Sequence, residues 1–141
     1  MNTYSKLADI EEVVRRFESC EYWPEEFTHA RHLTVACFYL STLPTDQALS
    51  RMRTGLHRFI EHHGKQGYHE TITRFWMKAC GQFLSGQAAG TDLVENINAT
   101  LQALANKELL FRHYSRDLVM SEAARQNWIE PDLHAIPAGQ L

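Results

Sequence analysis

The chain has 141 residues, three cysteines and a formal net charge of −3, with acids and bases interspersed. That length suits one domain burying about two-thirds of its unfolded surface. The odd, unpatterned cysteines exclude a disulfide scaffold and a CxxC metal cluster, and the lack of a basic run argues against a nucleic-acid partner.

The longest apolar stretch, residues 33–40, is too short to span a bilayer. Residues 1–10 are polar and lack a leader pattern, so a cytoplasmic protein without a membrane partner is expected.

Asp9 and Glu12 have the spacing of a capping box, and Ile10, Val13, Val14 and Phe17 recur at helical intervals, predicting a first helix that ends near Cys20. After the aromatic linker Glu21-Tyr22-Trp23, Pro24 opens a second helix that runs to about Ser41, with Glu25 and Glu26 favourable to its dipole. Its segment 33–40 is apolar almost all round, the pattern of a central buried helix. Thr45 caps a third helix, with Leu49, Met52, Leu56, Phe59 and Ile60 facing inward, that stops at His62-His63-Gly64. A fourth runs from about Tyr68 to Leu84, followed by a connection of small residues at 85–90. Thr91 caps a fifth, carrying Val94, Ile97, Leu101 and Leu104, which residues 107–113 prolong. One more short helix is expected at 121–128, before Pro131, with an extended tail to Leu141. The chain reads as all-α: an antiparallel up-down bundle of four to five main helices in a single domain over 1–141. Its core lies at about 8–113, with a C-terminal appendage at about 114–141.

At about 100° per residue, His29 shares the bearing of Leu33, Ala36 and Leu40, and His63 extends the Leu56, Phe59 and Ile60 stripe. His69 lies with Ile72, Thr73, Trp76 and Cys80, while His57 and His62 point elsewhere. With antiparallel neighbours, the start of the second helix, the end of the third and the start of the fourth share one end of the bundle. Glu108 joins them at the end of a prolonged fifth helix. Buried imidazoles without partners cost on the order of a few kcal/mol. The clustering therefore predicts an end pocket in which His29, His69, His63 and Glu108 ligate a divalent metal (zinc, iron or nickel) or surround a small molecule.

His32, three residues from His29, is a further ligand candidate or a helix-contact residue. Tyr22, Trp23, Tyr68, Thr73, Trp76 and Tyr114 are the expected walls of the pocket. Glu70 as acid/base and Arg74 as an anion clamp are the catalytic candidates, although their spacing of four also suits an ordinary surface ion pair. Ser115, Ser121 and Arg125 add polar groups to the same mouth or serve as caps and surface residues. Thr73 stands where an HExxH helix needs its second histidine, which excludes a zinc protease of that type. Neither a nucleophile elbow nor a phosphate-binding loop occurs.

The segments Phe27-Thr28-His29-Ala30-Arg31-His32-Leu33 and Gly67-Tyr68-His69-Glu70-Thr71-Ile72-Thr73 resemble the HxxHL and GYHETxT signatures of a group of small uncharacterised bacterial all-helical proteins. The resemblance extends from the first helix to Asp132-Leu133, with Tyr114-Ser115 and Ala124-Arg125 similar to a weaker third signature. It implies a similar helical protein and directs attention to His29 and His69, without a substrate. A looser, architectural likeness to DinB-type four-helix bundles, which hold a metal with three histidines, lacks that family's late histidine pair.

The expectation is thus a cytosolic bundle whose histidine-lined pocket binds a metal or small polar ligand, for a simple hydrolytic or proton-transfer step. The alternative is a non-enzymatic adaptor or homodimer, with structural histidines and a partner surface made by the aromatic linker and C-terminal segment.

Overall fold

The computed structural model of the chain describes residues 3–88 and 90–136. Ala89, within the predicted small-residue connection, and the last part of the predicted tail, residues 137–141, lie outside the described residues. Five long helices carry the core: α1 (Leu7–Glu18), α2 (His29–Thr42), α3 (Thr45–His62), α4 (Glu70–Ser85) and α5 (Leu93–Ala103). A 3-10 turn at Pro24–Glu26 precedes α2. A second at Lys107–Leu109 leads into the short helices α6 (Leu110–His113), α7 (Arg116–Val119) and α8 (Glu122–Gln126). Among the described residues there is no strand, and none of the helices is long and apolar enough to cross a membrane. The protein is an all-α helical bundle.

Because α2 is apolar on nearly every side it occupies the centre, packed against α1, α3, α4 and α5. Leu33, Val35, Ala36 and Cys37 are fully buried there, in one core with Ile10 and Phe17 of α1, Met52 and Phe59 of α3, Phe75 and Trp76 of α4 and Ile97 of α5. The start of α2 meets the end of α5, where His29 bonds the Leu104 carbonyl. Mid-α3, Gly55 leaves room for an aromatic ring: a Cβ there would stand 2.6 Å from Phe17 Cε2.

Local chemistry moves several boundaries from their expected places. α1 begins at Leu7 without a side-chain cap, and Glu12 pairs with Arg15 rather than closing a capping box. Pro24 starts only a single 3-10 turn, because Thr28 accepts a hydrogen bond from the Arg31 N–H and caps α2 afresh. Asp92, not Thr91, caps α5. The fifth helix is not prolonged: Asn106 accepts from the Glu108 N–H and opens a new turn, leaving Glu108 exposed and off the α5 stripe. Ser115 and Ser121 cap α7 and α8.

Candidate functional site

The inward histidines are held by separate neighbours. His29 donates from Nε2 to the Leu104 carbonyl at 3.0 Å and meets the Trp76 ring edge-on at 4.6 Å. His69 is the N-cap of α4: its Nδ1 accepts the Ile72 N–H at 3.1 Å while its Nε2 donates to the Val119 carbonyl at 2.6 Å. These two bonds fix a neutral ring with the proton on Nε2, and burial lowers its pKa. Metal ligation by His69 would break one of them. Moreover, Trp76, on which His29 rests, lies two turns beyond His69, about 10 Å of helix rise. The two rings thus have different backbone partners, the Leu104 and Val119 carbonyls.

His63 caps the end of α3 against Phe59 and Trp23, with ring centroids at 4.7 and 5.8 Å. Its Nε2, like that of His32, is buried without a hydrogen-bond partner among the described residues. Burial, with His29 adding a smaller effect, pushes the pKa of His32 down to about 4. Among the described residues no group of three or more His, Cys, Asp or Glu side chains is placed to hold a metal ion.

The expected aromatic wall is also dispersed. Tyr22 is buried between the Arg16 and Arg31 guanidiniums, 4.3 and 4.7 Å from its ring centre, and Trp23 is 64 % exposed. Trp76 lies beneath His29 in the core, and the buried Tyr114 donates to the Ile129 carbonyl at 2.6 Å.

The start of α4 builds a different site. Gly67 adopts φ +109°, a conformation only glycine takes easily, and a Cβ there would meet Arg125 Nη1 at 3.3 Å. The turn sets Tyr68 beside Glu70, the first residue of α4, whose side chain is 12 % exposed. Tyr68 donates to Glu70 Oε1 at 2.6 Å, and Arg53 of α3 donates to both oxygens, Nε to Oε1 at 2.9 Å and Nη2 to Oε2 at 2.6 Å. This fork holds the Glu70 carboxyl below its usual range, while burial and the bond to Glu70 push the Tyr68 phenol up to about 12. Thr73, buried one turn into the helix, hydrogen-bonds Tyr68. The expected Glu70–Arg74 pair is secondary, at 3.9 Å.

The C-terminal segment closes the far side. Thr71, fully buried, donates to the Asn127 carbonyl at 2.6 Å and accepts the Ile129 N–H at 3.1 Å, pinning residues 127–129 along α4. Trp128 is thereby laid against Arg74 and Lys78, each 5.3 Å from its ring centre. Between these walls lies a cleft of about 540 Å³, lined by Arg53, His57, Tyr68, Glu70, Arg74, Arg125 and Trp128 together with Gln126 and Asn127. Three guanidiniums face one carboxylate, on a chain whose net charge is −3. A groove of about 400 Å³ walled by Phe75, Phe83, Leu104, Leu109 and Ile136 is mainly apolar by contrast.

Of the expected residues the cleft gathers Tyr68, Glu70 and Arg74, with Thr73 behind them. It adds Arg53, His57 and Trp128, which sequence reasoning missed. His57, whose ring lies against Tyr68 at 4.1 Å and a tilt of 32°, is outside the core stripe of α3, so periodicity pointed away from it. The spacing of Arg53 and His57, one turn apart on one flank, is the signal that could have found them. Comparison of the chain with protein-family models, curated proteins and solved structures gives no match. The chemistry of the cleft is therefore read from its own side chains.

Proposed function

We propose that the protein binds a small anionic ligand in the cleft between α3, α4 and residues 122–128. One observation carries this reading: the charges do not balance. Glu70 is saturated by Arg53 and Tyr68, whereas Arg74 lies 3.9 Å from Glu70 and Arg125 lies 3.6 Å from Glu122, both beyond hydrogen-bond length. Two guanidiniums thus face the cleft without a carboxylate bonded to either among the described residues, and a guanidinium fork matches carboxylate or phosphate oxygens.

A carboxylate held low in pKa with both oxygens engaged is a poor proton acceptor. Glu70 therefore acts by positioning Arg53 and Tyr68, and Arg74 keeps the role of anion clamp. Calorimetric titration with inorganic phosphate and with succinate tests the proposal. The expected result is binding that weakens with added salt and falls about tenfold in Arg74→Gln and in Arg125→Gln. No heat from the native chain with either anion, or binding unaffected by both substitutions, refutes it.

A further inference from the structure

The class of anion follows from how the cleft is furnished, given the anion-binding reading above. We infer that the ligand is a compact dianionic oxyanion, a phosphate or small dicarboxylate group, and not a nucleotide or other aromatic anion held by ring stacking.

Charge supplies the first step. Among the lining side chains three guanidiniums face one carboxylate, an excess of two positive charges, with the exposed Glu122 3.6 Å from Arg125, and a cleft lined by one sign of charge concentrates ligands of the other. Phosphate carries −1.5 to −2 near pH 7, roughly that amount, and a dicarboxylate carries about the same.

The aromatic side chains supply the second. A site that reads a base or an aromatic acid needs an open ring face to stack on. Here the two aromatic walls already have stacking partners. Tyr68 is covered by His57 with the rings 4.1 Å apart, and Trp128 carries Arg74 and Lys78, with its indole N–H donated to Glu130 at 3.2 Å. A planar ligand stacking on either ring would have to displace His57, or Lys78 or Arg74, the last of which recommends the cleft to anions.

The third step is the donor balance. The acceptor oxygens of Glu70 are taken by Arg53 and Tyr68, and the Asn127 carbonyl by Thr71, while Arg74 and Arg125 present N–H groups from different helices. Ligands rich in acceptors and poor in donors fit such a lining, and two guanidiniums approaching from α4 and α8 can grip separate oxygens of one compact group.

Titrating the intact chain with inorganic phosphate, succinate, acetate and AMP at one ionic strength decides the matter. Phosphate or succinate is expected to bind about tenfold or more tightly than acetate, with AMP within about threefold of phosphate. Acetate matching the dianions overturns the charge argument. AMP binding more than about tenfold tighter than phosphate overturns the stacking argument and leaves the anion cleft standing. No binding by any of the four overturns both.

Discussion

Lowering the pH from neutrality to about 4.5 should remove much of the stability of this fold through one ring, that of His32. Its Nε2 is buried without a partner among the described residues, against Phe27 and three residues from His29, so a charge placed there lacks water and meets another imidazole. The folded chain holds this pKa at about 4, against an ordinary 6.5. The native ring thus stays neutral while the unfolded one takes up its proton. Above pH 6.5 the stability is intact, and it drains as pH falls toward 4, where the native ring protonates as well. At about 1.4 kcal/mol per unit, the loss attributable to His32 at pH 4.5 is about 2–3 kcal/mol, a large part of an ordinary domain's margin.

His29 and His69, also lowered by burial, lose stability in the same direction, so the His32 share must be isolated by difference. His32→Leu removes the titrating group and its orphaned nitrogen at similar volume, and should be neutral or mildly stabilising at pH 7.5. Urea unfolding followed by circular dichroism at pH 7.5 and 4.5 gives the numbers. The native chain should lose about 2–3 kcal/mol more than the variant between the two. Equal losses would show that the ring is solvated, and the reasoning from burial would be wrong.

His69→Ala should cost about 1–2 kcal/mol by uncapping α4 and freeing the Val119 carbonyl, with His69→Asn recovering the cap portion; EDTA should leave the melting temperature of the native chain unchanged in differential scanning fluorimetry. Gly55→Ala should destabilise by about 1–3 kcal/mol despite its better helix propensity, since the new methyl meets Phe17, and combining it with Phe17→Leu should recover part of the loss in thermal melts. Thr71→Val keeps the shape but removes both bonds to residues 127–129. Amide exchange there should accelerate by about tenfold, while the core of α2 keeps its protection.

How much could be read in advance depended on the range of the interaction. The central position of α2 was legible because an apolar perimeter has only one place to go, and the inner stripes of α1, α3 and α5 followed from periodicity. Local competition between caps was harder. Thr28 and Asn106 each restart a helix, and the second displaced Glu108 from the group of ligands it was expected to join. Hardest was axial register: a helical bearing says which side His29 and His69 face but not which groups they meet, and here they bond different carbonyls, Leu104 and Val119. Arg53 and Glu70 pair across α3 and α4, so no pattern within either helix could have joined them.

The seven residues from Gly67 to Thr73 tie α3, α4 and the C-terminal segment together. Gly67 turns the chain beneath Arg125, His69 closes the first turn of α4 with its ring, and Thr71 takes the C-terminal segment as though it were a neighbouring strand. Tyr68, itself bonded to Thr73, then holds Glu70, while Arg53 reaches it across the helix interface. Carboxylates are costly to bury unless fully bonded. Here the Arg53 fork and the Tyr68 hydroxyl supply those bonds. The same fork pairs the one carboxylate that lines the cleft, and among the described residues neither Arg74 nor Arg125 is hydrogen-bonded to a carboxylate.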